Sequence, residues 1–186
     1  MKIILIAGAW YTPSVYEGVW GNLEKSLAAQ YPGATFARES VYFWPSEVEK
    51  VKDFAISIVQ KHDREDEQIL LVGHSMGGVI ACGIAPLFKK SKVVGIVTIF
   101  TPHTMGAFLP RWNFYERYFP HAQSDTIPVV SFGGLLDPTV WFLFTRHSNA
   151  VFHRLVLSDH HVVLGRSTAL SRLIAKSVRS HISPAN

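Results

Sequence analysis

The sequence has 186 residues, 48% hydrophobic and 17% charged, a balance that is typical of a globular protein and excludes a disordered chain. Its net charge of +4 comes from Lys and Arg residues spread along the chain, which argues against a nucleic-acid partner. No apolar run can span a bilayer, the first run lacks the form of a secretory signal, and the lone Cys82 cannot form an internal disulfide. We therefore expect a cytoplasmic protein with one domain, residues 1–186, and no stable membrane insertion.

Six apolar runs predict β-strands, and helical patterns alternate with them. The predicted strands cover residues 3–7, 34–38, 68–72, 93–100, 127–132 and 151–157. Helices are predicted at residues 15–30, 46–59, 76–90 and 170–178, with a capping box between Ser46 and Glu49 and an early end at Pro86. This order predicts an α/β fold with about six mainly parallel strands and helices on both faces of the sheet. Ligands bind such sheets beyond the carboxyl ends of the strands.

The turn after the third predicted strand, Gly73 to Gly77, has the form G-x-S-x-G and leads directly into a helix. Glycines two residues before and two after Ser75 let strand and helix pass closely, and the strained turn presents the serine hydroxyl to a substrate. The Met76 N–H then lies at the helix N-terminus, where it can stabilise the oxyanion of an attacked carbonyl. A second oxyanion donor is expected from the loop after the first strand, with the Ala9 N–H preferred and Trp10 as the alternative.

A serine nucleophile needs a base that removes its proton and an acid that orients the base. Position along the chain eliminates most of the nine histidines and leaves His160 and His161, which directly follow the last predicted strand. We prefer His160, because the packing face of the last helix would then begin three residues later; His161 is the alternative. Asp137 is the only carboxylate just after the strand at 127–132, and Ser75, Asp137 and His160 occur in the chain order expected for a serine on such a turn.

These residues resemble the α/β-hydrolase superfamily, and the resemblance covers nearly the whole chain. Within it, residues 73–78, 98–103 and 131–134 followed by Asp137 are similar to the lipase branch that includes the glycosylphosphatidylinositol inositol-deacylases. The Asp159-His160 pair fits that branch too and favours His160 over His161, whereas Ala7-Gly8 stands where many relatives have His-Gly. In length the chain is closer to minimal lipases with little or no lid. The resemblance implies a serine esterase or lipase that works through an acyl-enzyme, with no metal and no organic cofactor.

The substrate side of the site is predicted from aromatic segments. The loop at 104–126 carries Trp112 and is expected to form a short lid or an acyl-binding wall, with a helix packed over the sheet edge as the equal alternative. Trp10, His103 and Trp141 are further candidates for substrate contact, although core packing is the favoured role of the segment around Trp141. We expect a small-molecule ester or lipid with an apolar acyl group, and transient contact with a lipid interface. The alternatives are an acyltransferase or thioesterase on the same residues, or a binding protein without catalysis.

Overall fold

The computed structural model describes residues 1–9, 13–44, 46–104, 118–119, 126–158 and 167–182, with the backbone alone described at 13–19. These residues form a parallel sheet covered by helices. Among the helices in these ranges, none is both long and apolar enough to cross a bilayer.

The sheet has six strands, as the sequence predicts. In chain order, β1 covers Lys2–Ala9, β2 Thr35–Val41, β3 Gln68–His74, β4 Lys92–Ile99, β5 Val129–Gly134 and β6 Ala150–Val156. Hydrogen bonds join the strands in the order β2-β1-β3-β4-β5-β6, and every neighbouring pair is parallel. Central strands of such a sheet are buried on both faces, which explains the continuous apolar runs in β1 and β3.

Helices cover both faces of the sheet, which confirms the predicted architecture. Four of them are α1 (Pro13–Gln30), α2 (Val48–His62), α3 (Met76–Ile84) and α4 (Thr168–His181). Helices α1 and α4 share one core cluster, where Trp20 and Ile174 are fully buried. Helices α2 and α3 belong to the cluster on the opposite face, which includes Val51 and Ile80.

The strand order reverses direction at β1, and this reversal locates the ligand-binding edge. Strand β2 lies on one side of β1, and β3 lies on the other, with Ile6 opposite Gly73. The connections that leave the carboxyl ends of β1 and β3 therefore diverge to opposite sides of the sheet and leave a crevice between them. The serine turn follows β3 and so stands at this crevice.

The end of α3 and the beginning of α2 can be compared with the ends that the sequence predicts. Helix α3 ends at Ile84 and continues as a 3-10 turn that contains Pro86, so the expected early end is confirmed. The predicted capping box is wrong: α2 begins after Glu47, and no side chain caps it. The Glu47 carboxylate instead accepts the Trp44 N–H at 2.7 Å, while Glu49 pairs with Lys52 on the helix surface.

A hydrogen bond joins the C-terminal ends of α1 and α4. The Tyr31 hydroxyl, just after α1, donates to the Ile182 carbonyl, just after α4, at 2.8 Å. Burial raises the pKa of Tyr31 to about 12, although Arg179 acts in the opposite direction, so the phenol stays protonated and keeps donating. The Ile182 side chain also packs against Gly95 of β4, where an added Cβ would meet it at 2.5 Å.

A buried carboxylate ties α2 to the outer strand β2. Glu39 is 9% exposed, and one of its oxygens lies 2.7 Å from both the His62 Nε2 and the Lys61 Nζ. Burial alone would raise the pKa of Glu39, but the hydrogen bonds from His62 and Lys61 outweigh it and lower the pKa. The charged carboxylate therefore stabilises the fold.

We predict that Glu39→Gln lowers the free energy of unfolding by about 1–3 kcal/mol near neutral pH, because a charged acceptor of two hydrogen bonds is lost. A lowered folded-state pKa means that the contribution of Glu39 is present above its unfolded pKa of about 4.3 and is lost as the pH falls through the folded value. Urea unfolding at neutral and acidic pH should show the difference between the two proteins shrinking in acid.

The matched control is Glu49→Gln on α2, the helix that Glu39 contacts, since Glu49 is exposed and forms a surface ion pair with Lys52. Its loss should change stability little at any pH. A pH-independent effect of Glu39→Gln, or an equal effect of both substitutions, would contradict the assignment.

Candidate active site

Ser75 occupies a strained turn between β3 and α3. Its φ is 54° and its ψ is −126°, a backbone conformation that residues other than glycine rarely adopt. The Ser75 N–H donates to the Ile99 carbonyl at 2.9 Å, and its own carbonyl accepts the Gly78 N–H at 3.0 Å. These bonds fix the turn against the end of β4 and leave the serine half-buried at the carboxyl edge of the sheet.

The glycines around Ser75 are required by backbone contacts. A Cβ on Gly73 would lie 2.3 Å from the Gly77 carbonyl oxygen, and a Cβ on Gly77 would lie 2.1 Å from the carbonyl oxygen of Ile6 in β1. Both obstacles are backbone atoms, which cannot rotate away as a side chain can. The two glycines therefore allow α3 to start directly over β1 and β3, as the G-x-S-x-G pattern predicts.

The predicted oxyanion donors belong to neighbouring segments. Met76 is the first residue of α3, and Ala9 is the last residue of β1, over whose carboxyl end the start of α3 packs. An N–H at a helix N-terminus favours negative charge nearby. Trp10 lies outside the described residues. The roles of Met76, Ala9 and Trp10 stay predictions.

Asp137 stands in the turn that follows β5, at the same edge as Ser75. It is 5% exposed, and its Oδ1 accepts the N–H groups of Thr139 and Val140, each at 2.8 Å. These two bonds set the orientation of the carboxylate. Strands β3 and β5 are separated by β4 alone, so the two turns stand on strands roughly 10 Å apart.

The end of β6 runs beside the Asp137 turn. The Leu136 N–H donates to the Ser158 carbonyl at 3.1 Å, and that oxygen would lie 2.7 Å from a Cβ on Gly134. Asp159, His160 and His161 follow Ser158 directly and lie outside the described residues. Ser158, the residue before this segment, therefore lies beside the Asp137 turn, and the choice between His160 and His161 stays a prediction.

Phe100 is a residue of the site region that the sequence did not indicate. It follows β4 with a φ of 51°, is fully buried, and donates its N–H to the Phe132 carbonyl at 2.8 Å. Its ring meets the His74 ring edge-on at 5.9 Å, and its Cε1 would lie 3.3 Å from a Cβ on Gly134. The ring therefore fills the space between the serine turn and the aspartate turn.

His103 lies in a buried polar cluster. Its Nε2 is 2.9 Å from the Thr98 hydroxyl, which is 2.9 Å from the Ser131 hydroxyl, and its ring meets that of His147 edge-on. Burial lowers the pKa of His103 well below its usual value, and His147 and His153 lower it further. His103 is therefore neutral near pH 7, and its predicted contact with substrate stays a prediction.

The sulfur of Cys82 and one ring nitrogen each of His103 and His147 lie within 4.8 Å of one another. A tetrahedral zinc ion with bonds of about 2.0–2.3 Å brings such ligands to about 3.3–3.8 Å. In addition, the His147 Nδ1 already accepts the Asn149 N–H at 3.1 Å. As it lies, this cluster is too open for zinc, and we assign no ion to it.

Of the other residues predicted to contact substrate, the structure describes Trp141 alone. Trp141 is 61% exposed and stacks on Phe144 with ring centroids 6.2 Å apart, so the favoured prediction of core packing is wrong for this residue. Trp10 and Trp112 lie outside the described residues, as does most of the predicted lid segment, 104–126. Their contact with substrate stays a prediction.

Comparison with known proteins agrees with this fold. The family model of the PGAP1-like alpha/beta domain matches residues 33–123. No curated protein sequence matches the chain. The chain is similar to the esterase domain of a Rhodothermus marinus protein, with a TM-score of 0.60, 14% identity, and coverage of 98% of this chain and 88% of that one.

Two further solved structures have similar folds. Est1E from Butyrivibrio proteoclasticus has a TM-score of 0.63 at 15% identity and covers 96% of this chain and 85% of that one. The product of the ydeN gene of B. subtilis has a TM-score of 0.63 at 16% identity, with 97% of each chain covered. These neighbours confirm the predicted fold, and the family match supports the predicted resemblance to the PGAP1-like domain over residues 33–123.

We predict that Gly77→Ala destabilises the protein by at least about 2 kcal/mol, because the new Cβ would overlap the Ile6 carbonyl and force the start of α3 away from β1. Gly21→Ala is the matched control, since nothing lies within 4 Å of a Cβ there and alanine favours the helix by about 0.5–1 kcal/mol. Urea unfolding should therefore move in opposite directions for the two variants. Equal stability of Gly77→Ala and the parent protein would refute the contact.

Proposed function

Because the chain has the α/β-hydrolase fold and is similar to the PGAP1-like branch, we propose that it is a serine hydrolase that cleaves carboxylic esters with an apolar acyl group. The observation that carries this proposal is the backbone of Ser75, whose positive φ is strained in a residue with a side chain. Such strain persists only where the surrounding structure enforces it, and here two glycines and the Ile99 carbonyl enforce it. The turn presents one hydroxyl at the edge where this fold binds ligands.

In the proposed first half-reaction, the Ser75 Oγ attacks the ester carbonyl while the imidazole of His160 takes the hydroxyl proton. The tetrahedral intermediate carries its negative charge on the former carbonyl oxygen, which accepts the N–H groups of Met76 and Ala9. When the bond to the leaving alcohol breaks, the imidazolium returns its proton to that oxygen. The product is an acyl ester on Ser75.

In the second half-reaction, water attacks the acyl-enzyme, and His160 takes one proton from it. The collapse of the second tetrahedral intermediate releases the carboxylic acid and returns the proton to Ser75. Asp137 holds the imidazole in the required orientation and stabilises its charged form. The two N–H groups that hold the Asp137 Oδ1 support this role, because they fix the direction of the carboxylate. Every step uses groups of the chain and water.

The proposal keeps the cytoplasmic location and the ester or lipid substrate that we expect from the sequence. The apolar side chains around the carboxyl edge, among them Leu136 and Trp141, support an apolar acyl group. Acyl transfer or thioester hydrolysis would use the same nucleophile, and products formed with added alcohols or from acyl thioesters separate these reactions from ester hydrolysis.

We predict that Ser75→Ala abolishes hydrolysis of a p-nitrophenyl ester, a loss that can reach about 10⁶-fold, because no other group replaces the nucleophile. A fluorophosphonate probe should label the parent protein and not this variant, since the probe reacts readily only with an activated serine. Ser57→Ala, which removes an exposed hydroxyl on α2, is the control and should keep both activity and labelling. Turnover by Ser75→Ala at the parent rate would refute the proposal.

We also predict that His160→Ala loses fluorophosphonate labelling, whereas His161→Ala keeps at least a large part of it. The reason is that two adjacent side chains cannot both point at Ser75, and loss of the base costs about as much as loss of the nucleophile. Labelling rates of the two variants measure this directly. The reverse result would assign the base to His161, and normal labelling of both would exclude this segment as its source.

A further inference from the structure

Large apolar side chains are exposed mainly in one part of the described chain. Twelve such side chains are exposed, and eight of them fall between Leu135 and Leu157. Six of these eight lie in the segments that follow β5 and β6, and we call them the apolar rim: Leu135, Leu136, Trp141, Phe142, Leu143 and Leu157. Single exposed apolar residues are ordinary, but a concentration of them marks an interaction surface.

Backbone hydrogen bonds hold two parts of the apolar rim at the carboxyl edge of the sheet. The Leu135 N–H donates to the Val156 carbonyl at 2.9 Å, so the turn after β5 lies against the end of β6, next to Leu157. The Phe144 carbonyl accepts the Thr104 N–H at 3.2 Å, which holds the Trp141–Phe144 segment near the end of β4. In the chain, Leu135 and Leu136 directly precede Asp137, and Trp141, Phe142 and Leu143 follow it.

Between Asp137, which is buried, and Asp159, the charged side chains near the apolar rim have one sign. Residues 138–158 contain no Asp and no Glu, and they contain the exposed side chains of Arg146 and Arg154. Aromatic and aliphatic side chains flanked by arginines are suited to the boundary between acyl chains and anionic headgroups. Basic residues at such a surface each contribute about 1 kcal/mol of attraction to anionic lipid.

We propose that the apolar rim docks on the surface of a bilayer that contains anionic lipids and holds the carboxyl edge of the sheet, with Ser75, at the lipid–water boundary. This inference deepens the proposed function and rests on it for its purpose, since it makes the substrate an ester presented by a membrane. The docking itself depends only on the rim and the two arginines.

A second copy of this chain matches the same surface less well. Two copies that met through the rim would bring Arg146 and Arg154 of each close to those of the other, without a carboxylate in residues 138–158 to balance them. Anionic headgroups balance both arginines and leave the apolar side chains to insert between lipids.

Vesicle sedimentation with the full chain carrying Ser75→Ala tests the docking without any catalysis. The vesicles are phosphatidylcholine alone and phosphatidylcholine mixed with phosphatidylserine. The rim variant adds Leu136→Ser and Leu143→Ser, at positions 62% and 66% exposed. The matched control adds Ile56→Ser and Leu87→Ser, on α2 and after α3, which are 47% and 40% exposed and lie away from the rim.

We expect binding to the mixed vesicles, a drop of at least about tenfold in the rim variant, and little change in the control. Arg146→Gln and Arg154→Gln should each weaken binding by about fivefold, and neutral vesicles should bind less protein. Failure of the protein to bind mixed vesicles, equal losses in the rim and control variants, or equal binding to neutral vesicles would overturn the proposal. A stable dimer that the rim substitutions dissociate, without vesicle binding, would assign the rim to a second copy instead.

The catalytic proposal is tested separately on the same variants. Fluorophosphonate labelling of Ser75 in the parent background reports on the nucleophile, and it should survive Leu143→Ser. If labelling persists while vesicle binding is absent, the docking proposal fails alone. If vesicle binding persists while the parent protein is not labelled, the proposed reaction fails alone.

Discussion

The structure depends on a contact between two pieces of backbone with no side chain between them. The start of α3 rests on the carbonyl groups of β1, and the glycine at position 77 leaves just enough room. Because the helix begins there, the chain has to turn sharply at Ser75, and the strain of that turn is balanced by packing elsewhere. The same contact brings the first amide of α3 beside the last residues of β1. The serine turn, the position of this amide and the crevice are therefore consequences of one close approach.

The end of β4 connects the serine turn to the turn that carries Asp137. The Ile99 carbonyl receives the Ser75 amide, and the next residue, Phe100, adopts a positive φ that is unusual for a bulky side chain. Its ring lies between His74 and Gly134, so movement of either turn would disturb the other. Two strained residues on adjacent strands thus set the spacing of groups that are far apart in the chain. This rigidity is what a preorganised polar site requires.

Much of the fold could be predicted because buried parallel strands are continuous apolar runs and the serine turn needs glycines at fixed positions. What could not be predicted depends on contacts from outside the local segment. The N-terminus of α2 is one case: Glu47 turns toward the Trp44 amide, and a loop geometry of this kind leaves no sign in the sequence. Phe100 is another case. It directly follows an apolar strand, and nothing in the local sequence indicates that its φ is positive. The buried position of His103 depends on its contact with Thr98, five residues earlier, and Thr98 looks like an ordinary strand residue in the sequence.

The hydrogen bond between Tyr31 and the Ile182 carbonyl has a consequence for biosynthesis. Helix α4 packs with α1 in one core cluster, so the core around α1 is completed by a helix that is made much later. When β1 to β5 have emerged from the ribosome and α4 has not, the apolar face that α4 will cover is still exposed. At about 5–20 residues per second, that face stays open for seconds and is a target for chaperones.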